Sequence, residues 1–135
     1  MSAALAPYTL STTTKLDYAA AVEAARSALA DQGFGVLCEI DVRATLKAKL
    51  DVDREPYMIL GACKPQLAQL ALELEPELGS LLPCNVIVYT ADGVTHVSAI
   101  DPERMLAVSG NTDLVPLASE VRDALQRVVE QVAAC

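Results

Sequence analysis

Cys63 and Cys84 are the residues in this chain best suited to chemistry. Each lies where a strand-like run meets another element. Cys63 closes the apolar run Tyr57–Ala62 and lies two residues before Pro65, which is typical of a first helical turn. Cys84 follows Pro83 and opens the next apolar run. If the two runs are neighbouring antiparallel strands, these positions lie at the same edge of the sheet. We therefore expect the two thiols to lie close together.

The position of Cys63 predicts an activated thiolate. Unpaired N–H groups and the dipole at a helix start lower the pKa of a thiol, and Lys64 adds positive charge beside it. The alternative is that Cys63 fills a small space at a strand end, as buried free cysteines do. Together with Cys84 it could bind a soft metal, form a reversible disulfide or hold a thiol-reactive ligand. The sequence offers no CxxC motif and no second cysteine pair to complete a metal site.

The other candidate side chains have simpler interpretations. His96 is the only histidine and lies within a strand-like run, where a hydrogen-bonded or half-exposed sheet histidine is expected. Cys38 alternates with Val36 and Ile40 on one face of its strand, so we expect it in the core. Cys135 is terminal and is assigned no role. No Ser-His-Asp order, phosphate loop, GxGxxG or HExxH motif is present.

Composition and charge narrow the class of protein. The 135 residues are 53% hydrophobic and 21% charged, which suits one domain over 1–135 with a loose N-terminus at 1–6. Ten basic and 18 acidic residues give a net charge of −8, which opposes binding to nucleic acid or to an anionic membrane. No charge precedes Lys15, so a signal peptide is not expected, and no uncharged run reaches the ~20 apolar residues of a membrane span. We expect a cytoplasmic protein with free thiols.

Hydrophobic periodicity and turn residues predict the elements that position the cysteines. An Asp-Gly pair at 92–93 predicts a hairpin, and Asp17, Asp41 and Asp113 are predicted helix caps. The predicted strands are Tyr8–Thr12, Phe34–Ile40, Tyr57–Ala62, Asn85–Thr90 and Val94–Ile100, and the predicted helices follow Asp17, Asp41, Lys64 and Asp113, with one helical turn after Asp101.

The helix that Pro65 opens carries a predicted inward stripe of Leu67, Leu70, Ala71 and Leu74. The element order β-α-β-α-β-α-β-β-α indicates an α+β fold, with a mainly antiparallel sheet of about five strands and helices on one face. The last two strands are apolar on both faces in places, so we expect helices to cover one face and a partner subunit the other.

Three blocks of the sequence, 39–50, 57–65 and 81–86, resemble the domain-of-unknown-function-302 family. The resemblance implies a small α+β domain with a curved antiparallel sheet, and it implies a dimer. It places Cys63 and Cys84 within motif blocks, whereas Cys38 and Cys135 match no motif cysteine. Lys64 departs from the family pattern, where Asn or a similar small polar residue is expected, so its side chain is not expected to cap the helix.

Three functions follow as hypotheses. The first is a homodimeric binding domain whose site, at the sheet edge shared by Cys63, Cys84, Asn85 and Lys47, takes a small molecule or a soft metal. The second is a thiol-dependent redox or sulfur-handling enzyme in which Cys63 attacks and Cys84 resolves. The third is a structural dimerisation module without a ligand.

Overall fold

The computed structural model of the chain describes residues 6–135, and the positions below refer to that range. The strands are β1 (Thr9–Thr14), β2 (Gly35–Asp41), β3 (Tyr57–Cys63), β4 (Cys84–Ala91) and β5 (Val94–Ile100), and the helices are α1 (Tyr18–Asp31), α2 (Val42–Leu50), α3 (Pro65–Leu74), α4 (Pro102–Ala107) and α5 (Val115–Ala133). Short 3₁₀ helices span Pro76–Leu81 and Thr112–Leu114. None of the described helices is both long and apolar enough to cross a membrane. The predicted loose N-terminus at 1–6 lies outside the described residues except for Ala6.

The five strands form one open sheet in the order β1-β5-β4-β3-β2, and every neighbouring pair is antiparallel. The Asp92-Gly93 hairpin joins β4 to β5 as predicted, and both turn residues have positive φ angles, of 52° and 77°. The α+β architecture and the element order expected from the sequence are therefore confirmed.

Helix α1 shows why the local prediction succeeds. The Asp17 carboxylate accepts a hydrogen bond from the backbone N–H of Ala20 at 2.8 Å, which satisfies a free donor of the first turn. Gly33 follows the helix end with a φ of 84°, a conformation that glycine adopts at little cost. Between these two signals, Val22 and Leu29 are seven residues apart, which places them on one face of the helix, and both are buried.

Helices α1 and α5 pack against each other and against one face of the sheet. Removal of these apolar side chains from water supplies the main stabilising free energy of such a two-layer fold. The core residues from both layers include Leu10, Val22, Ala25, Leu29, Leu60, Val86, Val88, Val97, Leu125, Val128 and Val132.

Strand β2 contains an irregularity that reverses the expected position of Cys38. Val36 pairs with Ala62 and Cys38 with Gly61, so Leu37 is an extra residue in the ladder. Such a bulge moves every later side chain to the other face. Cys38 is consequently exposed on the face away from the helices, and the prediction that it lies in the core was wrong.

The sheet face that lies opposite α1 and α5 carries apolar and aromatic rows, and we call it the open face. Register pairs Ile40 with Ile59 and Ile59 with Ile87, so three isoleucines line up across β2, β3 and β4. Ile40 retains 45% of its exposed area. An open antiparallel face is usually polar where it meets water, so this row is unusual.

A second row on the open face is a ladder of stacked rings. The ring centroids of Tyr57 and Tyr89 lie 5.2 Å apart with an angle of 14° between the planes, and those of Tyr89 and His96 lie 4.8 Å apart at 8°. Arg54 extends the row, with its guanidinium carbon 5.1 Å from the Tyr57 ring centroid. His96 is half-buried in the sheet, as the sequence suggested.

Two details of the helices differ from the sequence predictions. Asp113 does not cap α5; instead, the Asn111 side chain accepts from the Asp113 N–H at 2.9 Å and starts a 3₁₀ turn that leads into the helix. In α3, Ala71 is buried, but Leu70 and Leu74 are 50% and 45% exposed, so the predicted inward stripe is wrong for these two leucines. Leu70 and Leu74 line a groove instead of packing in the core.

Candidate functional site

Cys63 and Cys84 lie at the end of the sheet that α3 approaches, as their sequence positions predicted. Strands β3 and β4 are antiparallel, and Ala62 pairs with Cys84. Cys63 therefore ends one strand beside the residue that begins its neighbour. Both cysteines line one cavity of about 40 Å³ between the sheet end and α3, α4 and α5.

The cavity is apolar apart from the thiols and one cation. Among the described residues, Lys64 is the charged residue that lines it, and no carboxylate does so. The Lys64 ammonium nitrogen lies 5.5 Å from the centroid of the Phe34 ring, over the ring face, which favours a cation. The apolar lining comes from elements far apart in the sequence, among them Phe34, Leu67, Ala71, Leu78, Met105 and Leu117.

Lys64 is also the residue at which α3 begins. Its side chain makes no capping hydrogen bond, as its departure from the family pattern suggested, while its carbonyl accepts from the N–H of Ala68 at 2.9 Å. Pro65 occupies the first turn, where its missing N–H costs nothing. Lys64 thus has no side-chain capping role, and it is one of the residues that line the cavity.

Burial favours the protonated form of both thiols. Burial raises the pKa of Cys63, and it raises the pKa of Cys84 to about 11, with the neighbouring Cys63 adding to the effect. The activated thiolate expected at Cys63 was therefore wrong in direction. Pro65, in the first turn of α3, contributes no N–H group at this helix start.

The other two predicted site residues lie elsewhere. Asn85 follows Cys84 in the strand, so its side chain points to the opposite face of the sheet and is exposed. Lys47 lies on α2, which joins β2 to β3 at the end of β3 away from Cys63, about 20 Å along the strand at ~3.4 Å per residue. Its ammonium group pairs with Asp51 at 2.7 Å and with Asp53 at 3.2 Å. Neither residue lines the cysteine cavity.

Within residues 6–135, no group of three or more His, Cys, Asp or Glu side chains is arranged to hold a metal ion. The cavity therefore offers a ligand the two thiol sulfurs of Cys63 and Cys84 and the thioether sulfur of Met105. Sequence reasoning found both thiols but missed the cavity wall from α4 and α5, contributed by Met105 and Leu117. Nothing in the local sequence links those residues to the cysteines, because only the packing of the helices brings them together.

The comparisons with known proteins agree with this fold. The chain is similar to a crystal structure described as an uncharacterized conserved protein DUF302 from Bacillus stearothermophilus. The two share 25% sequence identity and superpose with a TM-score of 0.88 over 94% of this chain and 99% of the other. No curated protein matches the chain. Because the family model for the domain of unknown function DUF302 matches residues 10–132, nearly the whole sequence, this chain belongs to the DUF302 family.

Proposed function

We propose that this domain binds one soft metal ion of the Cu(I) type between Cys63 and Cys84. The observation that carries the proposal is that two thiols from neighbouring strands line a single apolar cavity of about 40 Å³. Sulfur ligands select soft ions such as Cu(I) and Zn²⁺ over Mg²⁺ or Ca²⁺.

The size of the cavity favours an ion over an organic ligand. Pockets for drug-sized molecules measure roughly 300–1,000 Å³, whereas a single water needs only about 10–15 Å³. A cavity of about 40 Å³ therefore accepts an ion without rearrangement of its walls. A small organic molecule would have to displace side chains such as Leu67 and Met105.

The number of ligands favours a monovalent ion. Structural Zn²⁺ takes four ligands, whereas Cu(I) is stable between two thiolates. On binding, the ion would replace the protons of Cys63 and Cys84, which pass to solvent. Two thiolates and one monovalent cation leave one net negative charge, which is costly in an apolar cavity. Lys64, which lines the cavity, would supply a positive charge that offsets it.

The hypothesis of a redox or sulfur-handling enzyme that uses Cys63 and Cys84 has weaker support. Thiol–disulfide exchange needs a thiolate, and burial raises the pKa of both Cys63 and Cys84. A metal ion, in contrast, supplies its own driving force for deprotonation.

The metal proposal is tested by anaerobic titration of the reduced chain with Cu(I) against the chromogenic chelator bicinchoninate. We expect one Cu(I) per chain, and at least a 100-fold loss of affinity in Cys63→Ser and in Cys84→Ala. Cys38→Ser and Cys135→Ser are the matched controls, because both residues are exposed and lie outside the cavity. Circular dichroism checks that each variant is folded. Unchanged affinity in the folded cavity variants would refute the site.

We infer further that the chain acts as a homodimer in which two open faces pack together. Five strands about 4.8 Å apart, each about seven residues long at ~3.3 Å per residue, give a face of roughly 550 Å². A standard interface buries about 800 Å² on each partner, so the flat area of this face alone supplies about two-thirds of a standard interface. The isoleucine row gives the apolar centre that a dimer interface needs.

The dimer is tested by light scattering on the eluting protein. We expect twice the chain mass of 14.3 kDa for the natural sequence and one chain mass for Ile59→Glu, which places a charge in the centre of the open face. Ala19→Glu puts the same charge on the exposed surface of α1 and should leave the dimer intact. If Ile59→Glu leaves the dimer unchanged, the dimer contact lies on another surface. The third hypothesis, a structural dimerisation module, would then lose the open face as its interface.

A further inference from the structure

A second concave surface lies between α3 and the start of α5, well apart from the open face, and we call it the α3/α5 groove. Its volume is about 530 Å³, more than ten times that of the cysteine cavity. Its apolar wall includes Leu70 and Leu74, two of the exposed leucines of α3, together with Leu117 of α5.

The rim of the groove is acidic on both sides. Glu73 lies on the α3 side, and Asp113 and Glu120 lie on the α5 side. No Lys or Arg lines the groove, and no ion pair within residues 6–135 involves these three carboxylates. Glu73 accepts one hydrogen bond, from the Gln69 amide at 3.0 Å, which leaves its charge uncompensated. The groove thus combines exposed apolar area with concentrated negative charge.

We propose that the α3/α5 groove binds a cationic amphipathic helix of a partner protein. An amphipathic helix lays apolar residues at i, i+3 or i+4, and i+7 into such a groove, while its flanking side chains meet the rim. Lys or Arg at those flanking positions complements the three carboxylates on both sides. Anionic ligands, nucleic acid and anionic membranes are repelled by the same rim.

The dimensions of α3 define the length of the partner segment. Ten helical residues span about 15 Å at 1.5 Å per residue, so about three turns of a partner helix lie along the groove. Three turns place two or three apolar anchors over Leu70, Leu74 and Leu117. A small apolar molecule of similar volume would leave the rim charges unused.

The probe for this proposal is a fluorescein-labelled 14-residue synthetic peptide, with Leu at i, i+3 and i+7 and Lys at the flanking positions. Its binding to the full chain is followed by fluorescence anisotropy at 0.15 M salt, where attraction beyond about 8 Å is screened. Two comparison peptides carry Glu in place of Lys, or the same composition in scrambled order. We expect the Lys peptide to bind at least tenfold more tightly than either.

Two groove variants and one matched control locate the contact. Leu70→Gln with Leu74→Gln removes the apolar wall, and Glu73→Gln with Asp113→Asn and Glu120→Gln removes the rim charge; each should weaken binding at least tenfold. The control removes three exposed carboxylates elsewhere, at Glu55, Asp92 and Glu130, and should change binding less than twofold.

Three results would overturn the proposal. Equal weakening in the rim variant and in the control would show attraction to the net charge alone. If the scrambled peptide binds as tightly as the Lys peptide, the groove does not recognise the spacing of apolar residues along a helix. Assembly of the chain beyond the dimer, abolished by the substitutions at Leu70 and Leu74, would assign the groove to a second copy instead of a partner protein.

Discussion

Gly61 and Cys38 face each other across β2 and β3 so closely that a Cβ at position 61 would lie 2.6 Å from the Cys38 sulfur. The same Cβ would lie 2.9 Å from Cγ of Pro83, the residue before Cys84. A side chain at position 61 would therefore force Cys38 and Pro83 to shift. This contact also links the exposed Cys38 to the strand end that carries the candidate site.

Because of this close approach, even the replacement of Gly61 by alanine should destabilise the fold. Gly61→Ala should lower the free energy of unfolding by about 1–3 kcal/mol, the usual range for overpacking. Urea denaturation measures this change. Adding Cys38→Ala should restore part of the loss, because it removes one of the two close contacts. Gly79→Ala is the control, since nothing lies within 4 Å of a Cβ there; equal effects at positions 61 and 79 would contradict the steric explanation.

Thiol reactivity should separate the cavity cysteines from the exposed ones. Burial raises the pKa of Cys63 above its ordinary value and that of Cys84 to about 11, so both should stay protonated at pH 7 and react slowly with iodoacetamide. Their rates should rise only as the pH is raised above about 8.5. Cys38 and Cys135 are exposed and serve as internal references. Site-resolved mass spectrometry on metal-free protein measures the alkylation rates of all four cysteines. If Cys63 reacts fastest at pH 7, the hypothesis of an activated thiolate at Cys63 would be supported again.

The ion pair between α1 and β2 should contribute stability that depends on pH. Arg26 Nε lies 2.8 Å from the Glu39 carboxylate, and this hydrogen bond lowers the pKa of Glu39. Because the folded-state pKa is depressed, the contribution is complete above the ordinary value of about 4.3 and is lost as the pH falls through the folded value.

Arg26→Gln should therefore lower the free energy of unfolding by up to about 1 kcal/mol at pH 7, the upper range for an exposed pair. At pH 2–3 the variant and the natural chain should be equally stable. Arg104→Gln changes the same charge at an exposed position without an ion pair in the described chain, so it serves as the control. A deficit for Arg26→Gln that persists at pH 2–3 would show that packing, not charge, is responsible.

Leucine truncations should reveal which face of each helix supports the fold. Leu125 of α5 is fully buried, so Leu125→Ala should cost about 2–5 kcal/mol of unfolding free energy. Leu70 of α3 is 50% exposed, and Leu70→Ala should cost less than about 1 kcal/mol. Thermal denaturation of both variants checks the difference. Similar losses would mean that α3 packs through Leu70 after all.

The secondary structure could be predicted because its signals are local. Asp17 and Gly33 mark the ends of α1 through backbone hydrogen bonding and a positive φ angle, and both act within a few residues. The same holds for the Asp92-Gly93 hairpin, which joins β4 to β5 and so fixes their antiparallel pairing. The alignment of Cys63 with Cys84 followed from the same kind of reasoning about strand ends.

The sequence alone determined the element order, the antiparallel sheet and the two cysteines that could serve as ligands. Only the tertiary structure decided which faces those elements bury. A bulge at Leu37 moved Cys38 out of the core, and the placement of α3 against α5 left Leu70 exposed. The direction of the thiol pKa shifts was likewise decided by packing, since burial raises the pKa of both Cys63 and Cys84. Desolvation and packing depend on contacts between residues far apart in the chain. The periodicity of apolar residues, in contrast, reflects only residues that are close together in the sequence.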